Sequence, residues 1–353
     1  MKGETFYLRL GVVLGVVVVQ LSCGKESTPL SSVSLHAESP TSDVVSSVTL
    51  QSYEIPVGAV NDPEANWSGT EVVFVGNASG FGTSNLNVFV YNLATGTMRQ
   101  LSDGLTNVGH PTWSPDGTRI AFNATEAVGG STQDIWIVDA TGGEPAQLVS
   151  TGYNEQTPTW SPSGDSIAYS AGSHSQEDIW IKEVDSPNPP YALNVNVPAS
   201  RLWWTDRNTI LYRARAPIAA NGLSIWEVPI TGGHGVEVVA DAFYPGSQDM
   251  LSAALTIEGY WVVVPISSGV GGRNPYELWL RISGSGRLQK IVGAEDIPGD
   301  AKSPSWTLTG DSLFFSGGGT LYLATNLPAE GSGGTKRRFL SQDYANQRAV
   351  QRQ

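Results

Sequence analysis

The feature that most constrains this chain is an internal repeat. Pro111-Thr-Trp-Ser-Pro-Asp-Gly-Thr-Arg-Ile-Ala-Phe122 and Pro158-Thr-Trp-Ser-Pro-Ser-Gly-Asp-Ser-Ile-Ala-Tyr169 align in register, 47 residues apart. Each leads to Asp-Ile-Trp-Ile, at Asp134–Ile137 and Asp178–Ile181. Weaker copies extend the series both ways. Ala65-Asn-Trp-Ser-Gly-Thr-Glu-Val-Val-Phe74 precedes Asn87-Val-Phe-Val90, and Leu202-Trp-Trp-Thr-Asp-Arg-Asn-Thr-Ile-Leu-Tyr212 precedes Ser224-Ile-Trp-Glu227. Pro304-Ser-Trp-Thr-Leu-Thr-Gly-Asp-Ser-Leu-Phe-Phe315 precedes Thr320-Leu-Tyr-Leu323. The anchor tryptophans are Trp67, Trp113, Trp160, Trp204 and Trp306, with first intervals of 46, 47 and 44 residues. The last interval, 102 residues, leaves room for one degenerate copy near Leu251, with Gly259–Val264 and Glu277–Leu280 as its later strands.

A period in the mid-forties that carries about four short strands is a propeller-blade period. The Ser-Pro-Asp-Gly turn supplies a fixed φ, a self-bonding carboxylate and a glycine able to take positive φ. Flanking runs alternate apolar and polar residues, as half-buried strands do. Each anchor ring is expected to fill a seam between blades. The expectation is an all-β, six-bladed propeller of four-stranded blades over residues 48–342, followed by a tail at 343–353. Either Thr49–Pro56 or Thr335–Ser341 could complete the last blade.

These repeat strings resemble the β-propeller repeat of TolB and its relatives. Prolyl oligopeptidase and dipeptidyl peptidase IV, tricorn protease and oligogalacturonate lyases carry similar repeats. The resemblance implies a propeller fold and protein docking. TolB itself carries an α/β domain before its propeller, where this chain has a Ser/Thr-rich stretch.

The N-terminus reads as an export signal. Lys2 and Arg9 precede the apolar run Leu10–Val19, too short for a spanning helix of about twenty residues. Cys23, the single cysteine, follows in Gln20-Leu-Ser-Cys23-Gly24. This resembles a lipobox, departing from it at Gln20, and implies lipidation of Cys23 after removal of residues 1–22. By resemblance to enterobacterial lipoproteins, Gly24 favours the outer membrane. Residues 23–47 lack an apolar period and are expected to be a flexible, disordered tether. The membrane is therefore met through a lipid anchor alone.

A net charge of −13 opposes phosphate backbones, so nucleic acid is not an expected partner. His110, His174 and His234 do not fall at metal-ligand spacing, and no phosphate loop opens a helix. The reading assigns no metal, no cofactor and no catalytic residue. A hydrolase domain with its Gly-x-Ser-x-Gly elbow has no room after the last blade.

What remains is the channel mouth. Three positions before each anchor, or its equivalent, lie Glu64, His110, Thr157, Arg201, Gln248 and Ser303. Ring symmetry should bring Glu64, His110 and Arg201 into one pocket. There Arg201 could take a carboxylate and Glu64 an amine or sugar hydroxyl. The expected function is a monomeric, envelope-anchored, non-enzymatic scaffold that docks a protein or peptide. The alternative is an extracellular glycan lyase or hydrolase working in the channel.

Overall fold

The computed structural model describes residues 9–13, 16–20, 48–66, 68–77, 86–127, 129–172, 177–195, 197–205, 207–215, 223–239, 252–256, 259–267, 275–282, 288–307 and 312–327. Two compact units are distinguished, residues 1–41 and 42–353. In the first, β1 (Arg9–Val13) pairs antiparallel with β2 (Val16–Gln20). Its valines are β-branched and favour strands. Cys23 and the tether lie outside the described residues, and no described helix is long and apolar enough to cross a membrane.

The second unit is all-β, a propeller of four-stranded blades, and its strands form six four-stranded sheets. The first holds β4 (Val60–Ala65), β5 (Glu71–Asn77), β6 (Leu86–Asn92) and β7 (Met98–Gln100). The second holds β8 (Leu105–Trp113), β9 (Arg119–Glu126), β10 (Asp134–Asp139) and β11 (Ala146–Val149). The third comprises β12 (Asn154–Trp160), β13 (Ser166–Gly172), β14 (Asp178–Glu183) and β15 (Tyr191–Ala192). The fourth comprises β16 (Ser200–Trp204), β17 (Thr209–Arg215), β18 (Leu223–Pro229) and β19 (Val236–Val239). The degenerate copy supplies β20 (Ser252–Thr256), β21 (Gly259–Ser267), β22 (Tyr276–Ile282) and β23 (Leu288–Val292). The last holds β24 (Ala301–Trp306), β25 (Leu313–Gly317) and β26 (Thr320–Thr325), and takes β3 (Thr49–Tyr53) as its fourth strand. Closure is thus made by the N-terminal candidate, whose Tyr53 pairs with Leu321 and Thr49 with Thr325. The other candidate, Thr335–Ser341, lies outside the described residues.

In five of the six described sheets the second and third strands set one aromatic against another, and in the fifth sheet Trp279 pairs with Val264. Phe122 pairs with Trp136, Tyr169 with Trp180, Tyr212 with Trp226 and Phe315 with Tyr322. Cross-strand pairs of this kind stabilise a sheet by about 0.2–1 kcal/mol each. The inner hairpin turns repeat as well. Asp116 Oδ1 accepts from Ser114 Oγ at 2.7 Å and from Thr118 N at 3.1 Å, and Gly117 takes φ 71°. In the first blade Asn66 Oδ1 does this work, accepting from Thr70 N at 3.0 Å and Glu71 N at 3.1 Å.

The apolar core lies in the seams between blades. One cluster joins Val73, Val88 and Val90 of the first blade to Trp113, Ile120 and Trp136 of the second. Another joins Ile179 and Leu193 of the third to Leu202, Tyr212 and Trp226 of the fourth. Trp113 and Trp160 are buried, and their indole N–H groups reach back to the preceding blade, donating to Glu64 O at 3.1 Å and Thr112 O at 3.3 Å. Trp204 and Trp306 are partly buried in the corresponding seams.

The first copy is registered differently from the sequence alignment. Ala65 pairs with Val72 as Trp113 pairs with Ile120 and Trp160 with Ile167. The anchor position of the first blade is therefore Ala65. Trp67 lies outside the described residues. Ala65 shares its seam with Tyr53, Tyr91 and Phe314, the Tyr53 ring centroid lying 6.4 Å from each of the other two.

Candidate ligand site at the propeller axis

The inner strands β4, β8, β12, β16 and β24 each carry an irregularity in their pairing with the second strand. At each, a non-glycine residue adopts left-handed backbone: Asp62 at φ 46°, His110 at 48°, Thr157 at 50°, Arg201 at 50° and Ser303 at 48°. Such residues cost of order 1–3 kcal/mol apiece and persist only where the surroundings over-determine them. Four of the five precede proline (Pro63, Pro111, Pro158, Pro304), which lacks an N–H and cannot continue the ladder. In these four repeats the bulge is thus written into the sequence, and it turns one side chain out of the sheet pattern.

The first member of this ring is Asp62, two residues before the expected Glu64. Asp62 is the centre of the site. Its Oδ1 accepts from Arg201 Nη1 at 3.3 Å and Nη2 at 3.4 Å, joining the first blade to the fourth. His110 Nε2 stands 3.9 Å from Asp62 Oδ2, and Ser303 adds a hydrogen bond to the same carboxylate. Residues from the first, second, fourth and sixth blades therefore meet at one point. Their side chains keep some access to water, with exposures of 16% for Asp62, 27% for His110 and 20% for Arg201.

Electrostatics set the charge states. Burial alone would raise the Asp62 carboxyl, but the Arg201 charge, His110 and the Ser303 and Arg201 hydrogen bonds outweigh it and hold it at about 2. Burial, reinforced by the charges of Arg201 and Arg213, pushes His110 down to about 4 against the pull of Asp62 and Asn123. At neutral pH the imidazole is uncharged. Its Nδ1 lies 3.0 Å from Asn123 Oδ1, which also accepts the Thr157 N–H at 3.4 Å. That assigns the ring proton to Nδ1 and leaves Nε2 as an acceptor at the axis. The site offers a guanidinium, a carboxylate and a neutral acceptor, which suits a ligand carrying both hydrogen-bond donors and an anionic group.

The remaining expected residues fall elsewhere. Glu64 occupies the place that Thr112 has in the second blade, and its Oε1 accepts from Thr112 Oγ1 at 3.0 Å and Trp113 N at 2.9 Å. Burial pushes its carboxyl up to about 7, against those two hydrogen bonds. It fastens a seam, as Thr159 does when its Oγ1 accepts from Trp204 N at 3.4 Å. Thr157 is buried, and its hydroxyl turns to Ser170 Oγ at 3.2 Å, away from the Asp62 cluster. Gln248 lies outside the described residues. The signal for Asp62 was present: Asp62-Pro63 matches His110-Pro111, Thr157-Pro158 and Ser303-Pro304. Aligning on Trp67 hid it, although Phe74 follows Trp67 by seven residues while Phe122 follows Trp113 by nine.

Among the described residues no group of three or more His, Cys, Asp and Glu is placed to hold a metal ion. No curated protein matches the sequence. The chain is similar in structure to a putative TolB from Agrobacterium tumefaciens, with a TM-score of 0.53 at 15% identity over 80% of this chain and 98% of that one. It is similar to TolB from Acinetobacter baumannii, with a TM-score of 0.53 at 18% identity over 70% of this chain and 57% of that one. An oligogalacturonate lyase from Vibrio parahaemolyticus matches with a TM-score of 0.50 at 13% identity over 79% and 97% of the two chains. At these identities the likeness is one of fold, and the fold hosts both TolB and an enzyme. The sequence profile of the TolB beta propeller domain matches residues 48–232, and by that match, over half its length, this chain belongs to the TolB β-propeller family.

Proposed function

We propose that this protein is an exported, lipid-anchored scaffold that docks a protein or peptide segment at the axial face of its propeller. The observation that carries the reading is the meeting of Asp62, His110 and Arg201 from three blades, with His110 neutral and its Nε2 open. A peptide offers what this set complements: N–H donors for Asp62 and His110 Nε2, and a carboxylate for the Arg201 fork. Anchoring through Cys23 and export by Leu10–Val19 place that face in the envelope, with the outer membrane favoured by Gly24. TolB among the structural neighbours supports a docking role.

The test is capture of partners from envelope extracts by the full chain and by an Asp62→Ala, Arg201→Ala variant. Loss of a specific partner in the variant, with the fold retained, supports docking at the axis. Unchanged capture refutes it. The oligogalacturonate lyase likeness supports the second reading, an enzyme working on a sugar or peptide in the channel. Turnover of an oligosaccharide or peptide that disappears in His110→Ala would favour that reading over docking.

A further inference from the structure

Two positions before each axial residue the repeat places a buried apolar side chain. Val60, Val108, Ala199 and Ala301 stand there before Asp62, His110, Arg201 and Ser303, and none is more than 4% exposed. In the third blade the residue is Glu155, with 0% exposure. Its backbone is held like its counterpart in the fourth blade: Glu155 N donates to Gln133 O at 2.7 Å, and Ala199 N to Glu177 O at 3.3 Å. Only the side chain differs. A carboxyl has been set where the repeat elsewhere uses a methyl or isopropyl group.

Glu155 faces Asp134, which opens β10 of the second blade and is 5% exposed. Glu155 Oε1 accepts from the Thr151 hydroxyl, and Asp134 Oδ2 accepts from Gln147 Nε2 at 2.9 Å. The other two oxygens, Glu155 Oε2 and Asp134 Oδ1, are shut off from solvent and find no other donor. The acidic residues that hold the register of Asp134 in the third and fifth blades are satisfied within their own blade. Asp178 accepts from Val195 N at 3.0 Å and Asn194 N at 3.1 Å, and Glu277 accepts from Ala294 N at 3.2 Å. The Asp134 charge instead bears on the Glu155 carboxyl and opposes its ionisation, so that one proton held between the two relieves a buried like-charge contact. Among the described residues no Lys, Arg or His pairs with either. The remaining titratable neighbour is Tyr169 of β13, whose phenol is raised by burial and by the charge of Glu155.

We propose that Asp134 and Glu155 form a single proton-binding site across the seam between the second and third blades, and that losing its proton loosens that seam. Burial and the Asp134 charge, opposed by Thr151, push the Glu155 carboxyl up to about 7. Because the folded protein holds the proton more tightly than the unfolded chain, the stabilisation is complete below the ordinary glutamate range and is lost as pH rises through about 7. The same seam carries the Thr157 N–H bond to Asn123, the residue that orients His110. Proton loss is therefore felt next to the axial site.

The test uses the full chain in a Glu64→Gln background, since Glu64 is also raised to about 7. Carboxyl-carbon NMR with labelled glutamate should show one carboxyl titrating near neutrality, absent in Glu155→Val, a side chain taken from Val60 and Val108. Between about pH 5 and pH 8.5 the folding equilibrium constant of the background protein should fall at least tenfold relative to that of Glu155→Val, a comparison in which the His110 contribution common to both cancels. The proposal is overturned if no glutamate carboxyl titrates above about pH 6, or if Glu155→Val keeps the same pH dependence. It is also overturned if calcium moves the Glu155 resonance at neutral pH, which would make the occupant a cation.

Discussion

Replacing Trp160 by alanine tests the seam packing most directly. The ring is 5% exposed and packs on Ala121 and Ile167, with Ile137, Leu148 and Val184 around it, so it bridges the second and third blades. Removing a buried tryptophan costs about 3–5 kcal/mol, because the rigid blades close poorly over the void. Two further losses come with it. The Thr112 carbonyl loses its indole donor at 3.3 Å, about 1 kcal/mol. The Arg119 guanidinium, 5.0 Å from the ring centroid, loses a contact of about 0.5–1 kcal/mol. The total is about 4.5–7 kcal/mol. With a urea m-value of about 3 kcal/mol/M, the unfolding midpoint should fall by about 1.5–2.3 M, with m unchanged. Trp160→Phe keeps most of the ring and should lose only about a third of this. Urea titrations followed by far-ultraviolet circular dichroism decide the matter. A Trp160→Ala midpoint within about 0.3 M of wild type would mean that the ring is not the wedge between these blades.

The other predictions concern the axis and the anchor. His110 is held down to about 4, so the unfolded chain takes up a proton near 6.5 while the folded protein resists it. Its stabilisation is therefore present above about 6.5 and is lost as pH falls toward 4, by about 1–3 kcal/mol. His110→Gln should lose that much less stability than wild type between about pH 7 and pH 4.5, and parallel profiles would show that the imidazole is not held neutral. Cys23→Ser should abolish palmitate labelling and release the protein from membranes. A wild-type protein that takes up no palmitate and is wholly soluble would refute the lipid anchor.

Much of the architecture was legible because a propeller is a local structure repeated. The Ser-Pro-Asp-Gly turn, the alternating strands and the period near 47 residues act within one blade, over distances that sequence reads well. The aromatic of Asp-Ile-Trp-Ile and its partner on the second strand follow from the same local pairing. Blade closure was different. Thr49–Tyr53 joins β26 across nearly the whole chain, and strand character alone could not choose between the two candidates. The axial site failed at a single step of register. Ala65, not Trp67, faces Val72, so Asp62 and not Glu64 reaches Arg201.

The sequence by itself determined the repeat and the strand composition of its blades, and it carries the Asp62-Pro63, His110-Pro111, Thr157-Pro158 and Ser303-Pro304 pairs at which the inner strands bulge. Only the tertiary structure decided which of those residues meet. Arg201 finds Asp62 because ring closure brings the first and fourth blades within reach, a contact between residues 139 apart that no local pattern encodes. The same holds for Glu155. Sequence shows a glutamate where other copies have Val60, Val108, Ala199 and Ala301, but the carboxyl it faces belongs to a neighbouring blade. Charge states depend on that surrounding protein, since burial and nearby charges are properties of the folded seam and not of the residue.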